Sequence, residues 1–149
     1  MGTRFEEIII RMHGQQGQAW LKNLPDLVAH IAKAWNLSDL QPMRGLSYNY
    51  VLSGMQGAKQ IVLKIGLDKP ALQREAAALT HFAGHGCATL LNQNVHDGAL
   101  LLERVVPGAP LKTLFPMHEE ASVTIVCQMI KDLQRVSPPE PGLFPSVAD

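Results

Sequence analysis

A lysine and a glutamate are the residues of this chain whose types and spacing could do chemistry. Lys64 lies near the end of an apolar, β-branched run over residues 60–66, and Glu75 follows eleven residues later, before three alanines. The phosphates of a phosphoryl donor carry several negative charges, so an enzyme that transfers the terminal group must hold them with a fixed cation and backbone N–H donors. A lysine that is oriented by a carboxylate is a cation of this kind.

Five short strands and one helix must position this pair. Turn residues join neighbouring strands, as at 96–98 (His-Asp-Gly), so successive strands are expected to be antiparallel. Asp68 precedes the helix and Pro70 lies in its first turn, which is a helix start signal. Lys64 is then on the third strand and Glu75 in the following helix. The sequence predicts strands over 40–44, 50–53, 60–65, 88–94 and 99–104, a turn over 54–57 and a helix over 70–82.

Helical periodicity marks the segments on either side of this α+β unit. In the segment before residue 36, apolar residues recur at three- and four-residue steps. We interpret Trp20 and Trp35 in this segment as packing residues. A second helix is predicted over 119–136, with acidic residues at its start and basic residues at its end. We therefore divide the chain into an N-terminal helical segment (1–37), a small lobe (38–106), and a connector, helix and Pro-rich tail (107–149).

The composition limits the classes of partner. Thirteen basic residues balance thirteen acidic residues, so a net charge of zero gives no long-range attraction to nucleic acid or to anionic membranes. No apolar run has the length of a membrane span, and Glu6 and Glu7 stand where a signal peptide would be basic. We expect a cytoplasmic protein that binds neither nucleic acid nor membrane. Cys87 and Cys127 are too few for a disulfide framework and are predicted to be reduced.

Two further stretches fit a nucleotide site around the lysine. Residues 45–51 lie between the first two strands, where Gly45 lets the backbone approach a phosphate, and Ser47 and Asn49 offer side-chain or turn-fixed N–H groups. Residues 103–105 lie at the end of the fifth strand, where a hinge backbone would bond to an adenine edge. The candidate nucleotide-binding residues are Lys64, Glu75, Gly45, Ser47, Asn49, Glu103 and Val105.

Taken in order, these stretches resemble the aminoglycoside/hydroxyurea antibiotic resistance kinases, the streptomycin 6-kinase-like enzymes. The similarity runs from about Gln41 to Asp149 and implies a protein-kinase-like N-terminal lobe: a five-stranded antiparallel sheet with one key helix, followed by the first helix of a larger lobe. It also implies that Lys64 contacts the α- and β-phosphates of ATP and that Glu75 pairs with Lys64. The motifs that carry the resemblance lie at 45–49, 62–64, 73–79, 98–104, 107–108 and 141–143.

The resemblance also shows which motifs are missing from these 149 residues. Such kinases need a His-Gly-Asp catalytic loop with a nearby Asn and a later Asp that binds Mg²⁺, and the sequence contains no such loop. Phosphoryl transfer needs metal and a base as well as Lys64, so we assign no catalytic residue and expect the chain alone to be inactive. We predict the nucleotide-binding half of an ATP-dependent aminoglycoside phosphotransferase, with Mg²⁺ and the antibiotic bound only in a full-length form.

The sequence also allows two other interpretations. The chain is alternatively a non-catalytic, kinase-like assembly module that forms a homo-oligomer through the apolar surface where a second lobe would sit. His81, His85 and Cys87 have a spacing (His-x3-His-x-Cys) that suggests zinc. Glycines interrupt that stretch and no fourth ligand is evident, so we predict no metal site.

Overall fold

A computed structural model describes residues 4–114 and 116–139 of the protein. Neighbouring strands are all antiparallel and lie in the order β1-β2-β3-β5-β4. This confirms the α+β class and the predicted pattern of three strands, one helix and two strands. The elements are α1 (Arg4–Ala34), β1 (Leu37–Pro42), β2 (Asn49–Gln56), β3 (Lys59–Gly66), α2 (Lys69–Phe82), β4 (Leu90–Asn94), β5 (Ala99–Glu103), a 3₁₀ turn (Leu111–Leu114) and α3 (Glu119–Leu133).

The sheet carries a separate hydrophobic cluster on each face. On one face, α1 covers β2, β3 and β5, and the members of this cluster include Phe5, Ile9, Leu24, Ile31, Leu52, Ile61, Leu63, Ile65 and Leu101. On the other face, Leu72 and Ala76 of α2 pack against Leu100 of β5. Burial of each large aliphatic side chain contributes about 1.5–3 kcal/mol, so the two clusters fix both helices on the sheet.

The predicted turn over 54–57 is wrong, because β2 continues through Gln56 and only residues 57 and 58 turn. Gly54 is a strand residue here: a Cβ on it would lie 2.6 Å from Leu40 Cδ2 and 2.8 Å from the Ser38 carbonyl oxygen. The glycine therefore permits the close approach of β1, and Gly57, with φ of 59°, makes the turn. β1 also begins at Leu37, three residues earlier than predicted.

The N-terminal segment is helical, as predicted. The helix reverses at Gly14 (φ 55°, ψ −129°) and continues through Pro25. The two parts of α1 lie side by side, with the rings of Phe5 and Trp20 6.3 Å apart. Pro25 has no N–H to donate to the Leu21 carbonyl, so α1 lacks one hydrogen bond there.

Helix α3 begins as predicted at Glu119 and ends at Leu133, three residues early. Its apolar side chains are largely exposed, as at Val123 (57%) and Ile130 (47%). Leu133 and the Met129 carbonyl lie against Gly86 of the α2–β4 loop.

The tail motif at 141–143 lies outside the described residues, and the three-segment division stays a prediction. No helix in 4–114 or 116–139 is long and apolar enough to cross a membrane.

Candidate nucleotide site

The ammonium group of Lys64 is held by both oxygens of the Glu75 carboxylate. The Nζ atom lies 2.8 Å from Oε1 and 2.6 Å from Oε2. The side chains are 21% and 34% exposed, so the pair is accessible to solvent. An exposed ion pair contributes only about 0.2–1 kcal/mol to stability. The geometry therefore matters more for fixing the position of the Nζ atom than for holding the fold together.

The sheet register and helix α2 bring the two side chains together. Lys64 pairs with Val51 of β2 and with Leu100 of β5, so it lies on a central strand and on the α2 face of the sheet. Asp68 caps α2 by accepting a hydrogen bond from Ala71 N at 3.0 Å. The neighbour of Glu75, Ala76, is 2% exposed and belongs to the cluster with Leu100. Glu75 is thus held over the strand that carries Lys64.

Asn49 joins this pair on the same face of the sheet. It pairs with Gly66, two positions along from the pairing of Val51 with Lys64, and alternate residues of a strand share a face. A Cβ on Gly66 would overlap Asn49 Oδ1, so the asparagine side chain lies directly over this glycine. Gly66 is a residue of the candidate site that sequence reasoning missed. Its only signal was a glycine at the end of an apolar strand.

The other two residues of the predicted phosphate loop are placed differently. Ser47 is exposed in the connection between β1 and β2. Gly45 has φ of 76°, with open space where a Cβ would be, and it lines a cavity of about 740 Å³ together with residues of α1. The structure therefore brings Asn49, but not Gly45, to the sheet face of Lys64.

The predicted hinge residues line a second cavity of about 480 Å³, which includes Glu103 and Val105. Glu103 N donates to the Thr89 carbonyl at 2.9 Å, and Arg104 N donates to the Gln60 carbonyl at 3.2 Å. Val105 is 61% exposed and follows the end of β5. Lys64 and Glu75 are not among the residues that line this cavity. The predicted phosphate-binding pair and the predicted hinge residues therefore do not line one common pocket.

The histidine and cysteine residues considered for zinc have different surroundings. His81 Nε2 lies 2.9 Å from the Ser137 carbonyl oxygen. Cys87 lines the hinge cavity and is a free thiol, as is Cys127 on α3. Among the described residues there is no group of three or more His, Cys, Asp or Glu side chains that could hold a metal ion.

Comparisons with known proteins identify relatives that are much longer. The chain is 30% identical over 135 residues to hydroxyurea phosphotransferase from Kitasatospora aureofaciens, which covers 90% of this chain and 40% of that protein. It is 26% identical over 130 residues to streptomycin 6-kinase from Streptomyces glaucescens, with 87% and 42% covered. The streptomycin 6-kinase from Streptomyces griseus is 24% identical over 134 residues, with 89% and 43% covered.

The chain therefore spans about two fifths of the length of these curated relatives. No solved structure matches it. Residues 34–148 match the family model described as aminoglycoside/hydroxyurea antibiotic resistance kinase. This match covers β1 to β5, the Lys64–Glu75 pair and α3, and it shows that the chain belongs to the aminoglycoside/hydroxyurea antibiotic resistance kinase family.

Proposed function

We propose that this chain is the nucleotide-binding part of an ATP-dependent phosphotransferase of the aminoglycoside type, with streptomycin as the model acceptor. The observation that carries the proposal is the Lys64–Glu75 pair, with Nζ 2.6 Å from Oε2 on a central strand of a five-stranded sheet. Its exposure leaves the ammonium group able to donate to phosphate oxygens as well as to Glu75. Asn49, on the same face, supplies a second polar group.

Two features support a division of labour between this chain and the rest of a full-length enzyme. The relatives are more than twice as long, and the sequence has no His-Gly-Asp loop. We therefore infer that this chain contributes ATP binding and that Mg²⁺, base and antibiotic are held elsewhere in a full-length enzyme. Without that remainder, turnover is expected to be absent. An enzyme that consumes ATP works where ATP is abundant, so a cytoplasmic location follows from this proposal.

Isothermal titration of the chain with Mg-ATP tests the proposal. Loss of one charge-assisted hydrogen bond costs about 1.5–3 kcal/mol, so Lys64→Ala should weaken binding by roughly tenfold or more. Lys22→Ala is the matched control, because this exposed lysine lies on α1, which covers the opposite face of the sheet. Equal affinity of the two variants, or no binding by the unaltered chain, would contradict the proposal.

A second candidate function rests on the exposed apolar side of α3. Val123, Val126 and Ile130 recur at helical spacing and are 57%, 41% and 47% exposed. An apolar surface of this kind is typical of an interface. The alternative function is a non-catalytic assembly module that forms a homo-oligomer through α3, independently of ATP.

A further inference from the structure

The cavity of about 740 Å³ lies between α1 and the β1–β2 connection. Phe5 and Leu24 line it from the two parts of α1, while Leu46 and Tyr50 line it from the connection and the start of β2. Tyr50 pairs with Ile65, which belongs to the α1-side cluster, whereas the neighbouring pair of Val51 and Lys64 faces α2. The cavity is thus on the opposite side of the sheet from the candidate nucleotide site.

The fold of α1 supplies most of the wall of this cavity. The reversal at Gly14 sets the two parts of α1 side by side, and the Phe5 ring contacts the rings of both Trp20 and Tyr50, with centroids 6.3 and 5.6 Å apart. Val28, half-buried, lines the cavity one turn beyond Leu24. The wall therefore combines aromatic and aliphatic side chains.

The cavity is open to solvent, since Arg4, Pro25 and Gly45 in its lining are exposed. Its volume lies within the range of about 300–1,000 Å³ that is usual for pockets that bind small molecules. The lining is mostly apolar and includes one cationic and one anionic side chain, Arg4 and Glu6. A polyphosphate would need an excess of positive charge, which this lining does not have.

We propose that this cavity is a second binding site, which takes an uncharged small molecule with a largely apolar surface. An occupant would contact Gly45 and Leu46, and would therefore touch the β1–β2 connection from the side opposite Lys64. Apolar burial supplies the affinity of the site for such a molecule.

Titration of the chain with the uncharged fluorescent dye Nile red tests this site. We expect one dye per chain, with affinity reduced at least about tenfold by Val28→Trp, whose indole ring takes up part of the space that the dye needs. Leu46→Trp narrows the cavity from the β1–β2 connection and is the second variant, should the helix tolerate Val28→Trp poorly. Val126→Asp is the control, because it removes an exposed apolar side chain from α3. Loss of binding in this control but not in the two tryptophan variants would overturn the proposal.

Two further measurements locate the bound dye and separate its site from the nucleotide site. Intermolecular NOEs from the dye to the rings of Phe5 and Tyr50 are expected, and NOEs to the α3 methyl groups instead would overturn the site. Dye binding should be unchanged by Mg-ATP and by Lys64→Ala, so it can hold even if nucleotide binding fails. Competition with ATP would overturn it, as would loss of dye binding on dimer formation, which would assign the cavity to a second copy.

Discussion

The side-chain oxygen of Asn49 occupies the space that a methyl group on Gly66 would need. These two residues are directly paired across β2 and β3, two positions from Lys64. The Leu72 Cδ1 atom lies 3.1 Å from the same point, so the position is closed from the helix side as well. The Asn49 side chain can therefore lie on the sheet face that carries Lys64 only because residue 66 is a glycine.

We predict that Gly66→Ala destabilises the chain by about 1–3 kcal/mol, the usual cost of overpacking a filled site. The same change should weaken Mg-ATP binding, because Asn49 must move away from the face of Lys64. Urea unfolding gives the free energy of unfolding, and calorimetric titration gives the affinity.

The double variant Asn49→Ala/Gly66→Ala separates steric overlap from a loss of strand propensity. If overlap is the cause, the two changes are not additive, and the double variant is more stable than Gly66→Ala alone. Strict additivity of the two free energies would show that the asparagine does not occupy this space.

A second prediction concerns the carboxylate that holds Lys64. Glu75→Gln keeps the shape of the side chain and removes its charge, so the ion pair is lost while α2 stays in place. Because the pair is partly exposed, we expect the free energy of unfolding to change by no more than about 1 kcal/mol. Mg-ATP affinity should fall by a factor of a few, since the lysine is no longer oriented.

Glu119→Gln, an exposed carboxylate in the first turn of α3, is the control for Glu75→Gln. It makes the same chemical change in another helix and should leave ATP affinity unchanged. Equal effects of the two substitutions would mean that the net charge of the chain, and not the orientation of Lys64, determines nucleotide affinity.

The start of α2 gives a third prediction. Asp68 accepts a hydrogen bond from Ala71 N at 3.0 Å, and Pro70 occupies the first turn. Asp68→Ala removes this cap and should cost about 0.5–2 kcal/mol, whereas Asp68→Asn retains an oxygen acceptor and should cost much less. Thermal unfolding followed by circular dichroism measures both. Equal destabilisation by the two variants would show that the charge and not the cap is responsible.

The sequence was sufficient for the parts of the site that depend on local signals. The β-branched run around Lys64 and the start signals at Asp68 and Pro70 predicted the strand and the helix, which the structure contains. The pairing of Lys64 with Glu75, which the structure also contains, came from the family resemblance and not from these local signals. The role of Gly54 was mistaken, because a glycine in a turn and a glycine that lets a neighbouring strand approach closely look alike in one sequence. The decisive contact, with Leu40, is tertiary.

The same reason explains why Asn49 was assigned to a loop and Gly66 was not considered. Their relation depends on the register between β2 and β3, which no short pattern of residues specifies. The cavity beside α1 was also out of reach, because it depends on the reversal at Gly14 and on where the two parts of that helix meet the sheet.

The last prediction concerns the exposed apolar side of α3, where the two candidate functions differ. Val126 and Ile130 are one turn apart and are 41% and 47% exposed, so an aspartate at either position meets solvent in the monomer. If the chain self-associates through this helix, Ile130→Asp should shift it from oligomer to monomer, because burying an unpaired carboxylate in an interface is costly. Analytical ultracentrifugation at several protein concentrations, with and without Mg-ATP, measures this.

Thr124→Asp, on a polar position of the same helix, adds the same charge and should leave the oligomer intact. A chain that is monomeric at every concentration would eliminate the assembly function, and ATP binding by Lys64 would then be the one function that the described site supports.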